Sequence, residues 1–224
     1  MAATGEPPDK GTERATGNAI AVATFEAAAR AFAALVHRIP PERWTAPGLG
    51  EWDLRALVGH TSRSLSTVHT YLGDTAAQHM AADLHSPQEY YLRIRTLSAE
   101  LGAEAIVERG RQAGRDLGEH PAAAVDDLLE LVLADLAGAA DPVITVIGGL
   151  RIRLSDYLPT RTFELAVHGL DIAAAAELDF RPPEVVLSEA TALAARVAVV
   201  GGDGPMLLRA LTGRGRIPPD YSVV

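Results

Sequence analysis

At 224 residues, 48% of them hydrophobic, the chain is long enough for one domain with a real core, or one domain with an appendage. Its net charge of -9 argues against nucleic acid or an anionic membrane as the main partner, since both need a concentrated basic surface. It has no cysteine, which excludes disulfides and thiolate metal sites, accords with a cytoplasmic location, and leaves any thiol chemistry to a thiol brought in by a small molecule.

The opening MAATGEPPDKGTERATG carries Asp and Glu without an apolar core, unlike a secretory signal, and residues 1–16 are expected to be a disordered leader. No run reaches the ~20 apolar residues that span a bilayer. From Asn18 to His37, Ile20, Phe25, Ala28, Phe32, Leu35 and Val36 recur at helical spacing. Ile39, Pro40 and Pro41 stop that helix. The loop WTAPGLGEW then delivers Asp53 as N-cap to a second helix, with Leu54, Leu57, Val58, Thr61, Leu65, Val68 and Leu72 in one stripe. Ser86 and Pro87 open a third helix, expected to run to about Gly114, and PAAAVDDLLELVLADLAGAA forms a fourth to about Ala139. DPVITVIGG and LRIRLSDYL are short, β-branched and separated by Gly148 and Gly149, which predicts a hairpin at about 142–155. A helix from Thr160 to about Glu177 follows, then one from Pro182 and Pro183 through Val200, then a Gly-rich turn and a short helix over 201–213. The pattern is mainly α. It reads as a four-helix bundle over 17–178 with a short β-hairpin, and a small C-terminal helical appendage over 179–224.

Glu164 and His168 lie four residues apart on one of these helices, so both project from the same face and can grip one ion. A distant His60 can complete a three-point site, and three protein ligands leave a position open. On the helical wheel Glu164, His168 and Asp171 form one narrow stripe with Arg161 at its edge, flanked by Phe163 and Val167 on one side and Leu165 and Ile172 on the other. The opposite face, Thr162, Ala166, Gly169 and Ala173, is small. The bulky flanks favour a stripe pointing into the bundle; the alternative is a tightly packed small face with the acids outside. A lone His on an amphipathic helix is ordinarily a plain structural residue, and E-x-x-x-H pairs are common in helices. The spacing therefore establishes compatibility with a metal and no more. Arg161 is either a surface ion pair with Glu164, worth ~0.3–0.5 kcal/mol, or a group that orients its carboxylate. His37, His69, His79, His85 and His120 fall at helix ends or in loops without partner spacing and are expected to be solvated.

Four stretches resemble the DinB-like superfamily, in particular the mycothiol-dependent maleylpyruvate isomerase family. They are WDLRALVGH ending at His60, TRTFELAVHGLD over 160–171, the preceding GGLRIRLSDYLPTR, and LLRALTGR at 207–214. The resemblance implies a DinB-like four-helix bundle in which His60, Glu164 and His168 bind a divalent ion, usually zinc. Other DinB-like proteins use three histidines, so Glu164 favours the mycothiol branch over the bacillithiol-transferase branch. The longer isomerases also carry a C-terminal α/β domain, which is expected to be absent or reduced in the stretch after Glu177. The implied activity is zinc- and mycothiol-dependent: thiolate addition to and elimination from a cis double bond, as in maleylpyruvate isomerase, or S-transfer to an electrophile. Partners would be a low-molecular-weight thiol and a small electrophilic substrate. A substrate carboxylate calls for an arginine; Arg93, Arg95 and Arg161 are the candidates, with Arg63, one turn past His60, for the cofactor. Two other readings stand beside this one: a non-catalytic metal-binding stress or sensor protein, and a helical interaction module whose Glu/His pair is incidental.

Overall fold

Phe25, Ala29, Phe32, Leu35 and Val36 recur every three or four residues and form the buried face of the first helix, α1 (Lys10–Val36). The structure, a computed structural model, describes residues 10–224, with residues 10 and 98–101 described by backbone alone. Residues 10–16, expected in a leader, are the first turns of α1; residues 1–9 of that leader lie outside the described residues. One segment of α1, Gly11–Val36, is long and apolar enough to cross a membrane by length and hydropathy. Its apolar face packs inside the bundle instead, chiefly against two other helices.

Those neighbours are α5 (Pro121–Ala137) and α6 (Leu154–Ala176), and both also contact α2 (Leu54–Gly73). The closed cycle α1–α6–α2–α5 is the expected four-helix bundle. Asp53 caps α2 as the sequence implies, its side chain accepting from the Ala56 amide at 2.7 Å.

The single third helix is two. Gly102, in the left-handed region at φ 80°, separates α3 (Pro87–Leu101) from α4 (Ala103–Asp116). The apolar residues continue at helical spacing across the break and hide it. α4 then lies against α2 through small residues. A Cβ on Gly59 would run into the α4 backbone at Ala113 and Gly114, and one on Gly114 would stand 2.9 Å from the Ala56 Cα. Arg55 fastens the end of α4, donating from Nε to the Gly114 carbonyl at 2.8 Å and from Nη2 to that of Gly118.

The hairpin forms as predicted. β1 (Val143–Thr145) and β2 (Arg151–Arg153) pair antiparallel with Ile144 opposite Ile152, and the tip holds Gly148 and Gly149 at φ 76° and 71°. α6 begins at Leu154, not Thr160, and runs through Pro159. Asp141 explains the early start: its Oδ1 accepts from the Ser155 amide at 2.8 Å, which caps the new helix, while Leu154, Tyr157 and Leu158 are buried. α7 (Glu184–Val200) packs on α6 and α3, and α8 (Gly204–Leu211) packs on α7, forming the C-terminal appendage.

Candidate metal centre

Two helices of the bundle bring three side chains together. α2 presents His60, and α6 presents Glu164 and His168 one turn apart. One ligand atom from each lies within 4.8 Å of the others, although about a hundred residues of chain separate His60 from the α6 pair. The imidazoles of His60 and His168 meet edge to face with centroids 5.1 Å apart. The stripe on α6 does face inward: the side chains of Glu164 and His168 are only 21% and 14% exposed. The small face is packed as well, with Gly169 against the Phe180 ring and Thr162, Ala166 and Ala173 buried. The helix is therefore sandwiched, and its exposed residues are Val167, Leu170 and Ala174, the first of them an expected inward flank.

Each α6 side chain has a support. Asp171 Oδ2 lies 3.1 Å from His168 Nδ1, which places the other nitrogen, Nε2, 3.3 Å from Glu164 Oε2. Tyr91, buried on α3, donates its hydroxyl to Glu164 Oε1 at 2.9 Å. Arg161 does not form a surface ion pair. Its guanidinium lies over the rings of Tyr157 and Tyr90, 5.0 and 5.5 Å from their centroids, and donates from Nε to Thr160 Oγ1 at 3.1 Å.

Burial and these neighbours separate the proton affinities. Burial, followed by the His168 charge, pulls His60 down to about 4, so its ring is neutral and available as a ligand. Burial pushes the Glu164 carboxyl up, but the His168 hydrogen bond and the Arg161 charge outweigh it and bring the group down to about 2. For His168, burial works against the charged form, and the hydrogen bonds to Asp171 and Glu164 prevail, raising it to about 9. In the ion-free protein a proton on His168 thus occupies the place between carboxylate and imidazole. Two imidazoles and a carboxylate without thiolate suit a divalent first-row ion, and the donors present are three. The residues fit the group.

Beside this cluster a cavity of about 170 Å³ is lined by Arg63, Arg109 and Arg161, with Tyr71, Tyr90, Tyr157, Ile94, Ile106 and Ile147. Among the described residues these three arginines have no carboxylate partner, whereas Arg43, Arg111, Arg115, Arg151 and Arg196 each pair with one. Arg93 and Arg95 point elsewhere: both are exposed on α3 and neither lines the cavity. Arg109 escaped the sequence reading, although it sits three residues after the apolar Ile106 and so shares its helix face. Tyr91 also escaped the sequence reading. His37 and His69, expected to be solvated, pair with Asp126 and Asp135 of α5 at 2.7 and 2.6 Å, and neither belongs to the centre.

Neither the curated proteins nor the solved structures contain a match to the chain. Residues 25–173 do match a family model, and that span holds most of the bundle, the hairpin, the three gathered side chains and Asp171. On that match the chain belongs to the mycothiol maleylpyruvate isomerase N-terminal domain family.

Proposed function

We propose that this protein is a zinc- and mycothiol-dependent enzyme of the isomerase or S-transferase class, acting on a small electrophile that carries a carboxylate. The gathering of His60, Glu164 and His168 beside an arginine-lined cavity supports this reading most strongly. His60, Glu164 and His168 would hold the ion. When bound, the ion supplies a Lewis-acid centre at which a thiol is favoured as thiolate, the nucleophilic form, and so thiol chemistry comes to a chain without cysteine.

The remaining work falls to the protein's own groups. Asp171 keeps Nδ1 of His168 occupied and leaves Nε2 to face the centre. Tyr91 holds Oε1 of Glu164 and leaves Oε2 turned toward Nε2 of His168. We assign the substrate carboxylate to Arg161 and Arg109, whose guanidinium groups have no carboxylate partner among the described residues, and the thiol cofactor to Arg63, one turn from His60. Arg161 is pre-oriented by the two tyrosine rings, which lowers the ordering cost of binding. Tyr71, Tyr90 and Tyr157, three isoleucines, Ser64 and Thr67 form the rest of the wall.

Elemental analysis of purified protein should find one divalent ion per chain, lost in His60→Ala and His168→Ala. Unchanged metal in both variants would overturn the ligand set. The loaded protein, incubated with mycothiol and maleylpyruvate or a generic electrophile, should turn over. Metal without thiol binding or turnover would leave a passive metal-binding protein.

A further inference from the structure

The three gathered side chains are not held alike. His168 is tied to Asp171 and Glu164 to Tyr91 by hydrogen bonds, but among the described residues His60 makes none. Its ring lies against the indole of Trp52, centroids 4.5 Å apart and planes tilted by 32°. Trp52 stands at the end of the loop before α2, and its own position is fixed twice. Its Nε1 donates to the Val107 carbonyl of α4 at 2.9 Å, and its ring lies over Gly110, where an added Cβ would come within 2.5 Å of Cε2. Glycine at 110 therefore leaves room for the indole, and the indole in turn bears on the imidazole.

We propose that Trp52 is a positioning residue for the metal ligand His60, doing by stacking what a hydrogen-bonded carboxylate does for His168. The inference rests on the metal-centre reading above. A histidine with no hydrogen-bond partner swings about its side-chain torsions unless packing confines it, and the freedom lost on coordination weakens binding. Trp52 removes that freedom beforehand. Because the indole is anchored to Val107 and Gly110, the ligand geometry also depends on the seating of α4, the helix that contributes Ile106 and Arg109 to the cavity. Metal affinity and cavity shape are thereby linked through one side chain.

Trp52→Leu should weaken zinc affinity by about 10- to 100-fold, the usual effect of losing a group that orients a ligand. Trp52→Phe, which keeps a ring on the imidazole, should restore most of it. Gly110→Ala, which pushes the indole aside without removing it, should weaken binding in the same direction as the leucine variant, and it decides the matter if Trp52→Leu does not fold. Cobalt loading gives a second readout: the visible absorption bands of the bound ion should change shape in Trp52→Leu and Gly110→Ala and be kept in Trp52→Phe. With Trp44 replaced by Phe, Trp52 is the remaining tryptophan of the two, and its emission should change on zinc loading and saturate at one equivalent. Affinity and cobalt spectra equal to wild type in folded Trp52→Leu or Gly110→Ala would overturn the proposal, as would stoichiometric zinc binding without a change in Trp52 emission. A wild-type protein that takes up no metal would instead overturn the metal-centre reading itself.

Discussion

Glu164 and Asp171 are both carboxylates on one face of α6, yet they have different tasks. Glu164 contributes an oxygen to the gathered cluster, while Asp171 touches only the far nitrogen of His168. Asp171→Asn should therefore cost about 10- to 100-fold in metal affinity, and Glu164→Gln distinctly more. Competition against a chromophoric chelator measures both, and equal losses would mean the roles are misassigned. Proton release tests the same cluster. His60 is already neutral above about 4, whereas His168 holds its proton up to about 9, so ion binding near neutrality must displace the latter. Affinity should rise with pH up to about 9, with about one proton released per ion, seen by calorimetry in buffers of different ionisation enthalpy. Flat affinity between pH 6 and 9 would contradict this. Asp156 offers a stability test away from the centre. Burial, reinforced by Asp141, raises it from 3.8 to about 6, so the folded state binds more protons than the unfolded chain between those values. Its contribution to stability is full below 3.8 and is lost as pH rises through 6. Asp156→Asn should raise the melting temperature at pH 7 and lose that advantage at pH 3.5.

Helices meet here at distances that side-chain size decides. Gly17 on α1 faces open space, and nothing lies within 4 Å of an added Cβ; Gly114 on α4 meets the α2 backbone at 2.9 Å. The same substitution should thus have opposite signs. Gly17→Ala should stabilise by about 0.5–1 kcal/mol through the entropy of the unfolded chain. Gly114→Ala should destabilise by about 1–3 kcal/mol, because the two helices must move apart. Chemical denaturation compares them directly, and a neutral Gly114→Ala would refute the close seam. Element boundaries follow similar local causes. The end of α3 depends on Gly102 and the start of α6 on a cap supplied by Asp141, whose φ of 55° carries its carboxylate back to the Ser155 amide.

Across the whole molecule, the proposed ion would join α2 to α6 and so connect two sides of the bundle. An ion that binds only the folded state stabilises it by about 2.7 kcal/mol at a hundred times its Kd. At roughly 2–4 °C per kcal/mol for a chain of this size, zinc should raise the melting temperature by about 5–10 °C, and a chelator should reverse the shift. No shift in wild type, or the same shift in His168→Ala, would speak against the centre. The amphipathic periods of α1, α2 and α6, the Asp53 cap, the hairpin glycines and the Glu164–His168 pair were all legible along the chain, because each depends on neighbours within a few residues. Arg161 was visible too, but its task was not, since the rings of Tyr90 and Tyr157 reach it only after folding. The presence of Arg109 in the cavity wall and the absence of Arg93 and Arg95 from it, the contacts of Tyr91 and Trp52, and the sandwiching of α6 between packed faces likewise belong to the tertiary structure. Local periodicity says which face of a helix is apolar; which other helix comes to lie on that face is settled by close packing between segments far apart in the chain.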